Sequence, residues 1–447
     1  MKVTIVGGGG FRVPLVYGAL LDLAKRVKID SIVLHDVDEA RMVRVASVLE
    51  GLSAEAGGGI PFTITTDLAE AVSGASFVLC AIRVGNLEGR LIDESVPLAR
   101  GVLGQETTGP GGICFALRTI PVMLELAETM AEHAPEAWLI NFTNPAGMVT
   151  EALQRVLGER AIGICDSPAG LCRRVAVALG RDPAELWFDY FGLNHLGWLQ
   201  SARDEERDLL PDLLANDALL ATFEEGQLFG GDWLRSLEMI PNEYLYYFYY
   251  MSDTVEAIRE SPQSRGAFLL EQQREFYASG DEAPELALEH WRQTRHDRER
   301  TYMAEAREAA GIETEHGIDV NSGYEGMAMA VLEAIAGGKQ AVLVLSTSNR
   351  SSLPFLDPKA VVEVPCVVGP TGAVPVAVGT VAPHARALIE TMKDVERTTI
   401  ESALTGSRSM AVRALALHPL VPSVVTAREI LDDYCERLPD VDEVFRP

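Results

Sequence analysis

Side chains able to do chemistry stand at three places in this 447-residue chain. Cys165 and His195 form the first: a thiolate and a neutral imidazole can share a divalent metal. A lone cysteine after an apolar strand and a lone histidine are equally what ordinary packing leaves, so both readings stand. Tyr244, in Pro241-Asn242-Glu243-Tyr244, is the second. A phenol there can serve as a general base if a cation lowers its pKa. It also opens a tyrosine-rich run to Tyr250, for which core or interface packing is the alternative. The third place is Gly7, Gly8, Gly9 and Gly10, with Asp36 further on.

That glycine run follows a β-branched strand at 2–6 and precedes a helical pattern at 13–24. The next strand, 31–34, ends at His35-Asp36. A dinucleotide needs these parts in this order. Glycines let the backbone approach the pyrophosphate, the helix N-terminus offsets its charge, and the acid takes the ribose hydroxyls. An acid at position 36, where a basic residue would suit a 2′-phosphate, favours NAD over NADP.

The alternation continues with strands expected at 62–65, 77–82, 138–141 and 161–164 and helices between them. This is an α/β chain with a doubly wound parallel sheet, whose ligands lie at the carboxyl ends of the strands. Three polar segments sit there: Ile82-Arg83-Val84-Gly85-Asn86, Asn141-Phe142-Thr143-Asn144-Pro145 and Cys165-Asp166-Ser167-Pro168. A long polar loop is expected over 83–112, holding Arg90 and the run GQETTGPGG. Past Pro168 the pattern turns to longer helices, interrupted at 191–198. The charge-rich stretch 292–307 reads as a solvated helix face. Strands at 341–346 and 361–365 and helices from 383 onward close the chain. No repeat or flexible linker separates the halves, so 1–167 and 168–447 are expected to be domains sharing a broad interface.

Composition removes several classes. With 38 Lys+Arg against 65 Asp+Glu the net charge is −27, which disfavours nucleic acid. An anionic substrate must then be held by local arginines. No apolar run reaches the ~20 residues of a membrane helix, which excludes a membrane-spanning protein. The N-terminus lacks a secretory pattern and the six cysteines show no C-x-x-C spacing. A cytoplasmic protein is expected.

The segments GQETTGPGG, NFTNPAG, GICDSPAG, GLNHLGW and PNEYLYYFY resemble, in order, the signature segments of family 4 glycoside hydrolases. The resemblance runs from VGGGG to VVEVP at 361–365. It implies a Rossmann-like domain related to lactate and malate dehydrogenases with a C-terminal α+β domain for substrate, metal and subunit contacts. It also implies NAD and Mn²⁺ as cofactors and a homodimer or homotetramer. Cys165 and His195 match the metal ligands, Tyr244 the base, and Asp166 a proposed proton donor. Arg90, Asn144 and Arg265 match substrate contacts, while Tyr246 and Tyr247 are alternative bases. The implied chemistry is oxidation at C3 of the sugar, loss of the C2 proton, departure of the C1 substituent, addition of water and reduction at C3. A 6-phospho-β-glucoside is the expected substrate.

Two departures qualify this. The glycine turn reads GGGGFRVP where many phospho-glycosidases carry a Ser and a Thr. Asp166 stands where members cutting β-linkages often have Asn, which points to an α-linked 6-phosphoglucoside or an unphosphorylated α-glycoside. An NAD-dependent hydroxy-acid dehydrogenase is the alternative class; it would leave Cys165, His195 and Tyr244 unexplained.

Overall fold

A computed structural model describes residues 1–261, 264–278, 283–299 and 323–446. Twelve strands among them form one sheet: β1 Lys2–Val6, β2 Ser31–His35, β3 Phe62–Thr65, β4 Phe77–Cys80, β5 Trp138–Asn141, β6 Ala161–Gly163, β7 Trp187–Leu193, β8 Leu196–Arg203, β9 Ile240–Pro241, β10 Ala341–Ser348, β11 Val361–Gly369 and β12 Gly372–Pro375. The order is β3-β2-β1-β4-β5-β6-β10-β11-β7-β8-β9, with β12 paired to β11. The first six strands are parallel. Their residues are largely apolar and β-branched, as strands covered on both faces require, and Ile5, Ile32, Leu34, Leu79 and Ile140 are buried. The topology therefore reverses at β1, between β2 and β4, and ligand crevices form there at the strands' carboxyl ends.

The sheet does not stop at residue 167. Antiparallel β10 meets β6 through Ser346 and Gly163, and β11 meets β7 through Glu363 and Gly192. The expected interruption at 191–198 is the tip of a β-hairpin, β7–β8, whose aromatic and apolar alternation was masked by its glycines. The expected loop over 83–112 is largely helical, with helices Asn86–Ala99 and Pro110–His133 leaving only 100–109 between them. Gly85, Gly89, Pro97 and Gly101 gave that stretch its loop-like look. Yet Val96 and Pro97 are buried on one face, and a packed apolar face outweighs propensity. The charged stretch 292–307 is followed as helix Pro284–Glu299; its remainder lies outside the described residues. No helix among the described residues is long and apolar enough to cross a membrane.

Candidate active site

The glycine turn leaves β1 with Gly7 at φ +91°, a left-handed conformation that a side chain resists. A Cβ on Gly8 would stand 2.7 Å from that of Leu34, so β2 lies directly against the turn. Gly7 and Gly8 both donate to the His35 carbonyl. The Asp36 carboxylate accepts from the Gly9 amide at 3.0 Å, which fixes its direction at the end of β2. Tyr277 closes the turn from the other half of the chain, donating to the Gly9 carbonyl at 2.7 Å, and Arg41 lies over its ring at 4.2 Å. Gly7, Gly10, Asp36, Arg90 and Asn144 all border one cleft of about 970 Å³. That volume is at the upper end of the ~300–1,000 Å³ of ligand pockets. Turn, acid and cleft fit a dinucleotide.

Arg90 is buried and shared between two acids, Nε to Glu94 at 2.7 Å and a terminal nitrogen to Glu106 at 2.8 Å. Arg83 takes the other oxygen of Glu106 at 2.6 Å. Burial opposes the Glu106 charge, but Arg83 and Arg90 hold its carboxyl down to about 2. Beneath them Arg118 and Asp93 form a fully buried bidentate pair at 2.8 and 2.6 Å, and Arg118 Nε donates to the Val84 carbonyl. This pair clamps helix Asn86–Ala99, and with it Arg90, onto helix Pro110–His133. Asn144 enters the cleft after β5 and precedes Pro145 through a cis peptide bond.

His195 lies in the β7–β8 turn with φ +60°, uncommon for a residue with a side chain. Backbone held in this region marks functional positions when the surroundings enforce it. Thr107 meets its Nδ1 at 3.1 Å. Burial pushes the imidazole down to about 4, so it is neutral near pH 7, the state a metal ligand needs. The Tyr244 ring stacks on it, with centroids 3.7 Å apart and planes at 3°. Cys165 follows β6 and is buried. Desolvation, then the charges of Glu363 and Asp166, push its thiol well above the ordinary range. The Ser167 backbone amide opposes this shift, and a nearby cation would favour the thiolate further.

Glu363 joins these pieces and was not singled out from the sequence. It is fully buried on β11 and accepts from Asn194 Nδ2 at 3.1 Å and the Tyr190 hydroxyl at 3.2 Å. Asn242 Nδ2 reaches the Tyr190 hydroxyl at 3.4 Å, and the Asn242 side-chain Oδ1 accepts from the Tyr244 amide. The turns of His195 and Tyr244 thus share one network around the acid whose charge helps keep the Cys165 thiol protonated. The neutral imidazole and the thiol, surrounded by acids, fit a divalent cation. Among the described residues no three His, Cys, Asp or Glu side chains converge as a metal cage. A cation held by these two side chains alone would keep coordination positions for substrate and water.

Of the alternative bases, Tyr246 packs on Phe229 and Tyr250, and burial pushes its phenol up to about 12. Tyr247 is buried 6.1 Å from Tyr244. Asp166 follows Cys165, 4.0 Å from its sulfur, within electrostatic reach of Arg12. Arg265 begins helix Arg265–Ala278 and donates to the Arg298 carbonyl at 3.2 Å. Arg298 and Arg12 also line the cleft. Neither was expected there, since Arg298 read as part of a solvated face and Arg12 as part of a turn.

A sequence profile described as "Family 4 glycosyl hydrolase" matches residues 2–181, and one for the "Family 4 glycosyl hydrolase C-terminal domain" matches 190–421. The chain belongs to glycosyl hydrolase family 4. This family member is 32% identical to 6-phospho-alpha-glucosidase 1 of Lacticaseibacillus paracasei over 97% of its own length and 96% of that protein's. It superposes on the 6-phospho-beta glucosidase of Thermotoga maritima, solved with manganese, NAD+ and glucose-6-phosphate, with a TM-score of 0.82 and 26% identity over 98% of each chain. Malate dehydrogenase of Plasmodium falciparum shares the fold, with a TM-score of 0.51 and 13% identity over 91% of this chain and 99% of that one. The expected Rossmann-like architecture and the resemblance drawn from the five segments are therefore both met, and the chain is a glycosidase.

Proposed function

We propose that this glycosidase hydrolyses 6-phosphorylated glucosides, using NAD and a divalent metal, manganese by kinship. The observation that carries the reading is the stacked pair of Tyr244 and His195, joined through Asn242, Tyr190 and Glu363 to the surroundings of Cys165. When bound, NAD supplies a reversible hydride acceptor for C3, and a cation held by Cys165 and His195 supplies charge stabilisation for the sugar oxygens. Asn144 and Arg90 hold the sugar in the cleft. Once C3 is a ketone the C2 proton is acidic, and Tyr244 removes it. Asp166 gives a proton to the departing oxygen at C1, water adds to the resulting double bond, and C3 is reduced again. In this reading residues 1–167 hold the dinucleotide, and residues 168–447 bring the base, the imidazole and the face of a homodimer or homotetramer.

A β-linked phosphoglucoside is the first reading, from the resemblance of the whole chain. Asp166 favours a second, α-linked one, because an acid directly after the cysteine is what α-cutting members carry. Relative turnover of nitrophenyl α- and β-glucoside 6-phosphates separates the two. The mechanism itself is tested by hydrolysis in D₂O. Proton removal at C2 leaves deuterium there in the product, whereas a two-carboxylate glycosidase touches no C2–H bond. A product without solvent deuterium overturns the reading.

A further inference from the structure

Glu243 directly precedes Tyr244 and is 3% exposed, although acids are almost never fully buried unless paired. Its Oε1 accepts from the Ser167 hydroxyl at 2.6 Å, and Ser167 is buried as well. Ser167 opens helix Ser167–Ala178, two residues after Cys165 and one after Asp166. The hydroxyl therefore spends its donor across the site, on the segment that carries the phenol. Two turns along the same helix, Arg174 donates to both oxygens of Glu225, with Nε at 3.0 Å from Oε2. Glu225 is fully buried, and a Cβ on Gly170 would stand 2.9 Å from the Arg174 guanidinium, so the glycine leaves room for it. Arg174 is thus committed to Glu225, although its charge also reaches Glu243. Burial pushes the Glu243 carboxyl up, Arg174 opposes this, and Glu225 and Glu224 add to the rise. The second oxygen of Glu243, Oε2, is buried and has no hydrogen-bond partner among the described residues. A buried carboxyl with one oxygen unpaired costs the fold stability. Packing alone does not account for an acid at this position.

We propose that Glu243 is a positioning residue, which through Ser167 ties the turn of Cys165 and Asp166 to the segment of Tyr244 and so sets where the phenol stands against C2 of the sugar. The proposal rests on the reading of Tyr244 as the base given above. Contacts on the other side of the phenol support it. Asn242 accepts from the Tyr244 amide and reaches Tyr190, and the Tyr244 ring stacks on His195. Those contacts hold the phenol against the β7–β8 hairpin. The Ser167–Glu243 bond holds it against the turn after β6, where Cys165 and Asp166 stand. A base works only within hydrogen-bond reach of its proton, and misplacement by about 1 Å can cost about 10²-fold.

The test uses the full chain with NAD and Mn²⁺ and the nitrophenyl glucoside that it turns over fastest. Wild type is compared with Glu243→Ala, Ser167→Ala, the double variant and Glu243→Gln, which keeps an acceptor oxygen for Ser167. NAD affinity by calorimetry reports folding, and Ser167→Ala breaks the same bond from the other end should Glu243→Ala fail to fold. Either Ala change should lower kcat about 10–100-fold with KM little changed. The double variant should fall no further than the lower single one, and Glu243→Gln should stay close to wild type. A misplaced base slows proton removal alone, so the isotope effect from deuterium at C2 should grow in the Ala variants relative to that from C3. Full kcat in a folded Ala variant, losses that multiply in the double variant, or an unchanged ratio of the two isotope effects each overturn the positioning role and leave Tyr244 as the base. Normal exchange at C2 in Tyr244→Phe overturns the base reading, and the positioning role with it.

Discussion

A phenol lying flat on an imidazole at 3.7 Å has little freedom to turn, so its oxygen is delivered to one place. Tyr244→Phe keeps that stack and removes only the oxygen. Turnover should drop ~10²–10⁴-fold, the usual scale for a lost general base, and solvent deuterium should no longer enter C2. Normal exchange in this variant would move the base elsewhere. The Asp36 carboxylate accepts from the Gly9 amide at 3.0 Å and the Asp38 amide at 3.3 Å, which aims it at the cleft where the proposed dinucleotide's ribose would lie. Asp36→Ala should therefore weaken NAD binding by about 1–3 kcal/mol, and Asp36→Asn, which retains one acceptor oxygen, by less. Titration calorimetry checks both. Equal affinity in all three proteins would remove Asp36 from the ribose.

At the scale of elements, β11 carries the acid that the site is built around. Burial raises the Glu363 carboxyl to about 7 from its usual 4.5, with bonds from Asn194, Tyr190 and Ser346 opposing the shift. A carboxyl raised by folding contributes stability that is complete below about pH 4.5 and is lost as pH climbs through 7. Across that window the cost approaches about 3 kcal/mol. Between pH 5 and pH 8, wild type under chelator should lose stability relative to Glu363→Gln in denaturant titrations, and Mn²⁺ should restore much of it by favouring the ionised acid. Parallel curves for the two proteins would contradict this. Glu363 also shows what a linear reading misses. A single acid inside Val361-Val362-Glu363-Val364 was the visible signal, but its partners Tyr190 and Asn194 are about 170 residues away in the chain. By contrast, the glycine turn, the Asp36 terminus of β2 and the polar segments after β4, β5 and β6 were legible because each is local. The helix Asn86–Ala99 was obscured by glycines whose reason is tertiary. A Cβ on Gly89 would meet the Arg118 guanidinium at 3.2 Å, a contact set by a helix further along the chain. Arg298 was misassigned for the same reason, since its helix is oriented by tertiary packing of Ala287, Leu288 and Trp291 with Phe11, Val48 and Phe276.

For the whole molecule, buried charge pairs tie elements together, and among the described residues Asp93–Arg118 is the deepest, with both side chains at 0% exposure. Arg118→Met would strand an unpaired carboxylate and should cost about 3–5 kcal/mol, seen as a lower denaturant midpoint. A loss below 1 kcal/mol would mean that the carboxyl is simply protonated there. The pairing of β10 with β6 has another kind of consequence, one that concerns how the chain is born. Ala341–Ser348 leaves the ribosome long after Ala161–Gly163, with 177 residues between them. At about 5–20 residues per second, synthesis of that interval takes about 9–36 s. Throughout it the nascent chain displays a parallel sheet whose last strand has an open, apolar edge, the geometry that recruits other strands. Production of 1–181 alone should therefore yield insoluble protein, and co-production with 182–447 should recover soluble material. A soluble, monomeric 1–181 would show instead that this edge is capped from within its own half.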